Sequence, residues 1–200
     1  MVILIIDAYN YIKQVVQVSF VQERTIQEII KQFIEYVHLR GNEVVLVFDA
    51  GPYHQITHEQ VHALMSVWYS GHYFSADDVI KKILEEKRGL DILVVSSDRE
   101  ICAHAQMHNV VSIGSLEFDR IFKQILKAQK QVDKKIKGTL IKTSNNSDAS
   151  LDDLMEMASR SLVSKDKQFE VHTYNILQSL YSAHTLSKID KRLLKKISKI

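Results

Sequence analysis

The chain has 200 residues, of which 46% are hydrophobic and 25% are charged, a composition typical of a soluble globular protein. This length accommodates one ordinary domain with an appendage, but it is short for two full domains. No apolar run reaches the roughly 18–20 residues that span a bilayer, so we expect no membrane-spanning helix. The single cysteine, Cys102, excludes an intrachain disulfide framework. The apolar opening segment has no basic region before Asp7 and is not typical of a signal peptide, so we expect a cytoplasmic protein.

The overall net charge of +2 conceals an asymmetry along the chain. Residues 131–200 carry a net charge of +5, and residues 1–130 carry a net charge of −3. An acidic region can concentrate carboxylates around a metal ion, and a basic tail can contact a polyanion such as nucleic acid. A solvated basic end without a binding function is the competing interpretation of the tail.

Short apolar runs rich in β-branched residues alternate with stretches of helical periodicity over the first 130 residues. Asp7 to Asn10 is expected to form a turn after the first strand, Ser75 is a plausible N-cap, and residues 53–63 fit neither pattern. The pattern predicts strands over residues 2–6, 44–48, 66–69, 92–95 and 110–112, and helices over residues 23–39, 76–87, 98–107 and 116–130.

Apolar strands that alternate with helices favour a mostly parallel sheet with helices on both faces, which is an α/β fold. Beyond residue 130 the composition becomes polar and basic, and apolar residues at helical spacing return near the end of the chain. The sequence therefore predicts a domain over residues 1–130, a linker over residues 131–150 and a helical basic C-terminal extension over residues 151–200.

Acidic residues follow four of the predicted strands: Asp7, Asp49, the pair Asp77 and Asp78, and Asp98. In an open parallel sheet, binding sites form outside the carboxyl ends of the strands, where these acids would meet. Converging carboxylates repel one another unless a cation neutralises them, and magnesium accepts such oxygen ligands. Each acid alone could simply favour a helix N-terminus or a turn. Their recurrence at four strand ends favours a shared metal site.

Four blocks of sequence resemble, in the same order, those of the YacP-like proteins in the NYN branch of the PIN-like nucleases. The blocks are ILIIDAYNYI at 3–12, VLVFDA at 45–50, SADDVI at 75–80 and VVSSDRE at 94–100. The resemblance covers residues 1–130 and implies a PIN-like three-layer sandwich around a central, mostly parallel sheet. It also implies a Mg²⁺- or Mn²⁺-dependent endoribonuclease that cleaves single-stranded RNA, and it admits the ribosome as a partner. It leaves the oligomeric state open.

Carried over position by position, the resemblance makes Asp7, Asp78 and Asp98 the catalytic metal ligands, with Asp77 assisting them. Two positions depart from the family pattern: Ala8 stands where a glycine is usual, and Tyr11 where a small aliphatic residue is usual. Neither departure removes a ligand, although both leave room for an altered fit of the substrate.

The resemblance places four further polar residues around these acids. Asn10 would orient a water or a phosphate, and Asp49 would support the site from its edge. Ser97 and Arg99 would flank the site, with Arg99 holding a phosphate of the substrate.

A competing motif is HEQVH at residues 58–62, which matches the helical zinc motif H-E-x-x-H. In a zinc protease His58 and His62 would bind the metal and Glu59 would act as base. The segment lies between two predicted strands, and a third ligand would have to come from Glu85 or Glu86. These features argue against a protease.

A catalytically silent PIN-like domain that binds RNA or the ribosome through its basic tail is the other alternative. The retained acids argue against it, because a carboxylate cluster weakens the binding of a polyanion. Four aromatic residues before Asp77 could stack on unpaired bases or pack in the core. They are Trp68, Tyr69, Tyr73 and Phe74.

Overall fold

The computed structural model describes residues 1–18, 20–51, 53–127, 188–197 and 199–200. Residues 1–127 together with 199–200 form one compact unit, which we call the α/β unit, and residues 128–198 form a second. The predicted linker and most of the predicted C-terminal extension lie outside the described residues. Within the described ranges, no helix has the length and apolar character needed to cross a bilayer.

A six-stranded sheet forms the centre of the α/β unit. In space the strands follow the order β3-β4-β2-β1-β5-β6, and only the edge pair β3 and β4 is antiparallel. The predicted, mostly parallel sheet is therefore confirmed. The strands are β1 (Ile3–Asp7), β2 (Glu43–Phe48), β3 (Thr57–His62), β4 (Met65–Tyr69), β5 (Ile92–Val95) and β6 (Val111–Ile113).

Helices cover both faces of this sheet, and the predicted three-layer arrangement is thus also confirmed. The helices of the α/β unit are α1 (Ala8–Val16), α2 (Glu23–Arg40), α3 (Ala76–Glu86), α4 (Arg99–Met107) and α5 (residues 115–127). A further helix, α6 (Lys188–Ile197), belongs to the second unit and lies within the segment predicted as a helical basic C-terminal extension.

Each face of the sheet has its own core. On one face, apolar residues of α3 and α4 such as Ile80 and Ile101 pack on Ile5 and Val94 of the central strands. On the other face, α1, α2 and α5 contribute an aromatic cluster of Tyr11, Phe33, Tyr36, Phe118 and Phe122. Ring pairs of this kind each contribute about 0.5–1.5 kcal/mol beyond the area that they bury. The central strands β1, β2 and β5 are buried because helices pack against both of their faces.

The path of the chain creates a crevice beside β1. From β1 the chain moves through α1 and α2 to β2 and then outwards to β4. Helix α3 then carries it back past β1 to β5, which pairs with β1 on the opposite side from β2. The strand order reverses at this point, and the loops leaving β1 and β5 diverge, which is where open α/β sheets bind ligands.

Two predicted features of the first half of the chain differ from the structure. The turn predicted at Asp7 to Asn10 is wrong, because α1 begins at Ala8 and Asp7 is its N-cap. The Oδ1 atom of Asp7 accepts a hydrogen bond from the backbone N–H of Asn10 at 3.2 Å. An aspartate that accepts a hydrogen bond from the backbone N–H three residues later occurs both in isolated turns and at the start of helices. The short motif alone therefore did not distinguish a turn from a helix N-terminus.

The zinc-protease hypothesis is wrong, because residues 57–62 form strand β3 instead of a helix. Alternate residues of a strand share a face, and positions four apart are about 13 Å from each other, too far for His58 and His62 to share one ion. The ring of His58 stacks on Trp68 with centroids 4.6 Å apart, and the ring of His62 lies 4.5 Å from that of His38. Both histidines therefore serve local packing.

The segment between β4 and α3 depends on Gly71, whose φ of +78° lies in the left-handed region. A Cβ atom there would lie 2.6 Å from the carbonyl oxygens of His54 and Gln55. We expect Gly71→Ala to lower the free energy of unfolding by roughly 3–4 kcal/mol, through backbone strain and this clash. Gly89→Ala is the matched control, since Gly89 has a φ of +88° with open space around it, and only strain of about 1–2 kcal/mol is expected there. If urea unfolding showed the same loss in free energy of unfolding for both variants, the clash predicted for a Cβ atom at Gly71 would be contradicted.

Candidate active site

Asp7 occupies the centre of the crevice, at the carboxyl end of β1. Its side chain is buried, with 7% of the residue exposed, and its Oδ2 atom accepts a hydrogen bond from the hydroxyl of Ser96 at 3.3 Å. Burial, reinforced by the charges of Asp77 and Asp98, raises the pKa of Asp7 from 3.8 to about 6, against the lowering effect of its hydrogen bonds. A buried carboxylate with two acidic neighbours is a group that a cation would stabilise.

Asp98 follows β5 and is the N-cap of α4. Its Oδ1 atom accepts hydrogen bonds from the backbone N–H groups of Glu100 at 2.7 Å and Ile101 at 3.3 Å. The Ser96 hydroxyl, which donates to Asp7, accepts the backbone N–H of Asp98 at 3.1 Å. Ser96 therefore couples the two acids, a role that the sequence analysis did not assign to it. The position of Ser96, between an apolar strand and the acid Asp98, is the feature of the sequence that could have indicated this role.

Asp77 and Asp78 are adjacent in sequence but differ in their surroundings. The carboxylate of Asp78 accepts hydrogen bonds from the backbone N–H of Ser75 at 2.9 Å and from its hydroxyl at 2.8 Å, which completes a capping box. These bonds hold the pKa of Asp78 below its ordinary value. Burial and the charge of Asp98 instead raise the pKa of Asp77. Asp77 thus interacts electrostatically with Asp7 and Asp98, whereas the carboxylate of Asp78, which the resemblance made a metal ligand, is engaged in the helix cap.

The positively charged side chain of Lys81 lies at the edge of this acidic group. The ammonium group of Lys81 forms an ion pair with Glu100. Its positive charge also lowers the pKa of Asp77, which lies one turn earlier in α3, and so offsets part of the raising effect of burial. The hydrogen bond to Glu100 raises the pKa of Lys81. No pattern in the sequence reveals this pair, because it depends on α3 and α4 lying side by side.

Asn10 and Ser97 belong to a polar network that connects α1 with the segments after β5 and β6. The Oδ1 atom of Asn10 accepts hydrogen bonds from the side chain of Gln14 at 3.1 Å, the backbone N–H of Ser97 at 3.4 Å and the hydroxyl of Ser115 at 3.0 Å. The Ser97 hydroxyl donates to Gln14 at 2.9 Å and accepts the backbone N–H of Ser115 at 3.1 Å. Since a backbone N–H can only donate, the network fixes the oxygen of Asn10 and turns its NH₂ group away.

Asp49 and Arg99 lie at the margin of the site. Oδ1 of Asp49 accepts hydrogen bonds from the Ser70 hydroxyl at 3.2 Å and from the backbone N–H of Ala76 at 3.1 Å, so it holds the start of α3 in place. Arg99 is exposed at the first position of α4. The predicted site residues thus divide into a converging set, Asp7, Asp77 and Asp98, and supporting residues around it.

The chemistry of the converging set fits a hard divalent cation. All three side chains offer carboxylate oxygens, and burial, with a smaller contribution from the neighbouring acids, raises the pKa values of Asp7 and Asp77. Among the described residues, the ligand atoms of these acids do not all lie within 4.8 Å of one another. A single ion would therefore reach part of these carboxylates through bound water, and magnesium commonly retains several of its waters in protein sites.

The stability of the metal-free protein provides a test of the burial of Asp7. The folded state keeps the Asp7 proton up to a pH of about 6, whereas the unfolded state releases it near the ordinary pKa of 3.8. The stabilisation by the protonated form is therefore complete below pH 3.8 and is lost as the pH rises through about 6. In EDTA at pH 7.5 we expect Asp7→Asn to raise the free energy of unfolding by roughly 3 kcal/mol, with no gain near pH 3.5.

Urea unfolding of the wild type and of Asp7→Asn at both pH values measures this difference in the free energy of unfolding. Groups that titrate alike in the two proteins contribute equally to both and do not affect the difference. Addition of Mg²⁺ should stabilise the wild type more than Asp7→Asn. A stability difference that is independent of pH would contradict the assigned environment of Asp7.

Comparison with known proteins agrees with this architecture. The structure is similar to the crystal structure of Rae1 (YacP) from Bacillus subtilis, with 19% sequence identity and a TM-score of 0.58 over 93% of this chain and 100% of that chain. A mutant of the same protein aligns with 24% identity and a TM-score of 0.58 over 69% of this chain and 85% of that one. Among curated proteins, none matches. Residues 4–163 match the YacP-like NYN domain, a PIN-like nuclease type of domain, and the chain therefore belongs to the YacP-like NYN family.

Proposed function

We propose that the protein is a metal-dependent endoribonuclease that cleaves single-stranded RNA, with Mg²⁺ or Mn²⁺ held by Asp7, Asp77 and Asp98. The observation that carries this proposal is the convergence of three acids from β1, α3 and the end of β5, with the pKa of Asp7 raised to about 6. Binding a polyanion alone would not require this repulsive arrangement, whereas a hydrolytic metal site does. Membership of a nuclease-type family supports the same conclusion.

The residues of the site have separate tasks in this proposal. A bound divalent cation would supply a Lewis acid for the scissile phosphate and lower the pKa of an attacking water. Asp7 and Asp98 keep their orientation because backbone N–H groups and Ser96 hold them. The NH₂ group of Asn10, which points away from its network, can donate to a phosphate oxygen or orient the water. Arg99 can approach a neighbouring phosphate from the start of α4.

Helix N-termini add to the attraction for the substrate. α1 and α4 both begin at the crevice, with Asp7 and Asp98 as their N-caps. The positive end of a helix dipole favours anions, and the effect falls off within the first turn. A phosphodiester in the crevice would therefore meet favourable backbone charge as well as the cation.

Exposed aromatic residues beside the site suit unpaired bases. Tyr73 and Phe74, 72% and 47% exposed, lie just before the α3 segment that carries Asp77. Base stacking on such rings contributes about 1–3 kcal/mol per base and tolerates any sequence. Trp68 and Tyr69 instead pack on His58 and Phe48, so we assign stacking to the first pair. The net charge of +5 in residues 131–200 would add attraction for RNA.

Cleavage of an end-labelled single-stranded RNA with Mg²⁺ or Mn²⁺ tests the function. We expect Asp7→Asn, Asp77→Asn and Asp98→Asn each to slow cleavage by roughly 100-fold or more, because each removes charge at the cation. Asp78→Asn is the matched control, and we expect it to keep activity within about tenfold while costing about 1 kcal/mol of stability through its cap. EDTA should abolish cleavage, and circular dichroism should show that every variant folds.

Two outcomes would contradict this assignment of residues. The first is cleavage by Asp7→Asn at the wild-type rate, and the second is loss of activity in Asp78→Asn together with full activity in Asp77→Asn. An inert purified protein calls for the same assay with ribosomes present, since the family resemblance admits that partner. RNA binding without cleavage under both conditions would overturn the enzyme proposal and leave a binding protein.

A further inference from the structure

We propose a second metal site, a zinc site built by Glu85 of α3 together with His104 and His108 at the end of α4. Each of the three side chains offers one ligand atom, and these three atoms all lie within 4.8 Å of one another. The site shares no residue with the acidic crevice.

The two helices bring these side chains together by simple geometry. His104 and His108 are four residues apart, which places them one above the other on the same face at the end of α4. Their rings lie 4.6 Å apart between centroids. Glu85 occupies the last turn of α3, and α3 lies beside α4. The carboxylate therefore faces the histidine pair across the helix interface.

An independent observation concerns the imidazole of His104. Its Nε2 atom is buried and has no hydrogen-bond partner among the described residues. Buried polar atoms nearly always have a partner, and a bound ion or water often satisfies those that have no partner in the protein. A cation coordinated through Nε2 of His104 would satisfy this atom.

The donor set selects the class of metal. Two imidazole nitrogens and one carboxylate oxygen are ligands that Zn²⁺ accepts in tetrahedral sites, with the fourth position left to water. Magnesium prefers oxygen ligands alone and would favour the crevice instead. The two sites are thus expected to differ in their metal.

Arg88 competes with the metal for His108. Its Nη2 atom lies 3.3 Å from Nδ1 of His108. A guanidinium group can only donate, so this contact requires an unprotonated Nδ1 atom. A zinc ion on Nδ1 would occupy that atom, and a zinc ion on Nε2 of the neutral ring would leave the proton on Nδ1. Zinc binding and the Arg88 contact therefore exclude each other.

The position of the zinc site indicates a structural role. Glu85 lies about 12 Å from Asp77 along α3, and His108 lies about 15 Å from Asp98 along α4. The two metal sites would thus lie at opposite ends of the same helix pair. A zinc ion would cross-link the C-terminal ends of the helices whose N-terminal ends carry Asp77 and Asp98.

Zinc titration of the full, EDTA-treated chain by calorimetry tests the proposal, with Co²⁺ absorption in the visible range as a second readout. We expect one zinc ion per chain at this site, and affinity losses of roughly 100-fold or more for Glu85→Gln and His108→Gln. Both side chains are at least partly exposed, so both variants should fold. Arg88→Ala should tighten binding by about tenfold, because it removes the competing donor.

Two controls separate this site from the other candidates. His58→Gln changes a histidine of β3, and Asp7→Asn changes the acidic crevice, so both should bind zinc at this site like the wild type. Unchanged zinc affinity in Glu85→Gln and His108→Gln would overturn the proposal. The absence of zinc binding in the wild type at micromolar concentrations, or its loss in His58→Gln, would overturn it as well.

Discussion

The carboxylate of Asp7 is held in a buried position at the end of the central strand, close to two other acids. Placing a charge there is unfavourable, and the raised pKa of Asp7 expresses that cost. The surrounding architecture produces this arrangement: β5 pairs with β1, so Ser96 reaches Asp7, and α3 passes back over the sheet, so Asp77 arrives beside them. The fold thus brings acids together at a buried position, where a bound cation would favour their charged forms.

Capping and metal binding are compatible roles in this site. Asp7 and Asp98 each use one carboxylate oxygen, Oδ1, to accept the N–H groups of the helix that follows. The second oxygen of Asp7 faces Ser96, and that of Asp98 takes no part in the cap bonds. The helix N-termini therefore orient the acids and offset part of their charge. The second oxygen of each carboxylate, which the cap does not use, can still coordinate a metal ion. The structural and the functional interpretations of these acids, which compete in the sequence, describe the same side chains.

The sequence predicted five of the six strands and the sheet type, because apolar β-branched runs are local patterns, and the placement of acids at the strand ends followed from that sheet type. The family resemblance made Asp78 a metal ligand with Asp77 assisting, whereas our proposal gives the ligand role to Asp77, because the carboxylate of Asp78 is engaged in the helix cap. The spacing of Ser75 and Asp78 was a usable signal, because it resembles a capping box with a shorter acid. Strand β3 was missed since an exposed edge strand lacks apolar alternation. The cluster of Glu85, His104 and His108 depends on the packing of α3 against α4, which no local pattern contains.

The pKa of Asp7 itself tests the account most directly. Carbon-13 NMR of the side-chain carboxyl in the metal-free, full-length protein should give a titration midpoint of about 6, well above the ordinary 3.8. Saturating Mg²⁺ should shift that midpoint to markedly lower pH, since a bound cation favours the ionised form. A midpoint near the ordinary value without metal, or one that Mg²⁺ leaves unchanged, would contradict an acidic metal site centred on Asp7.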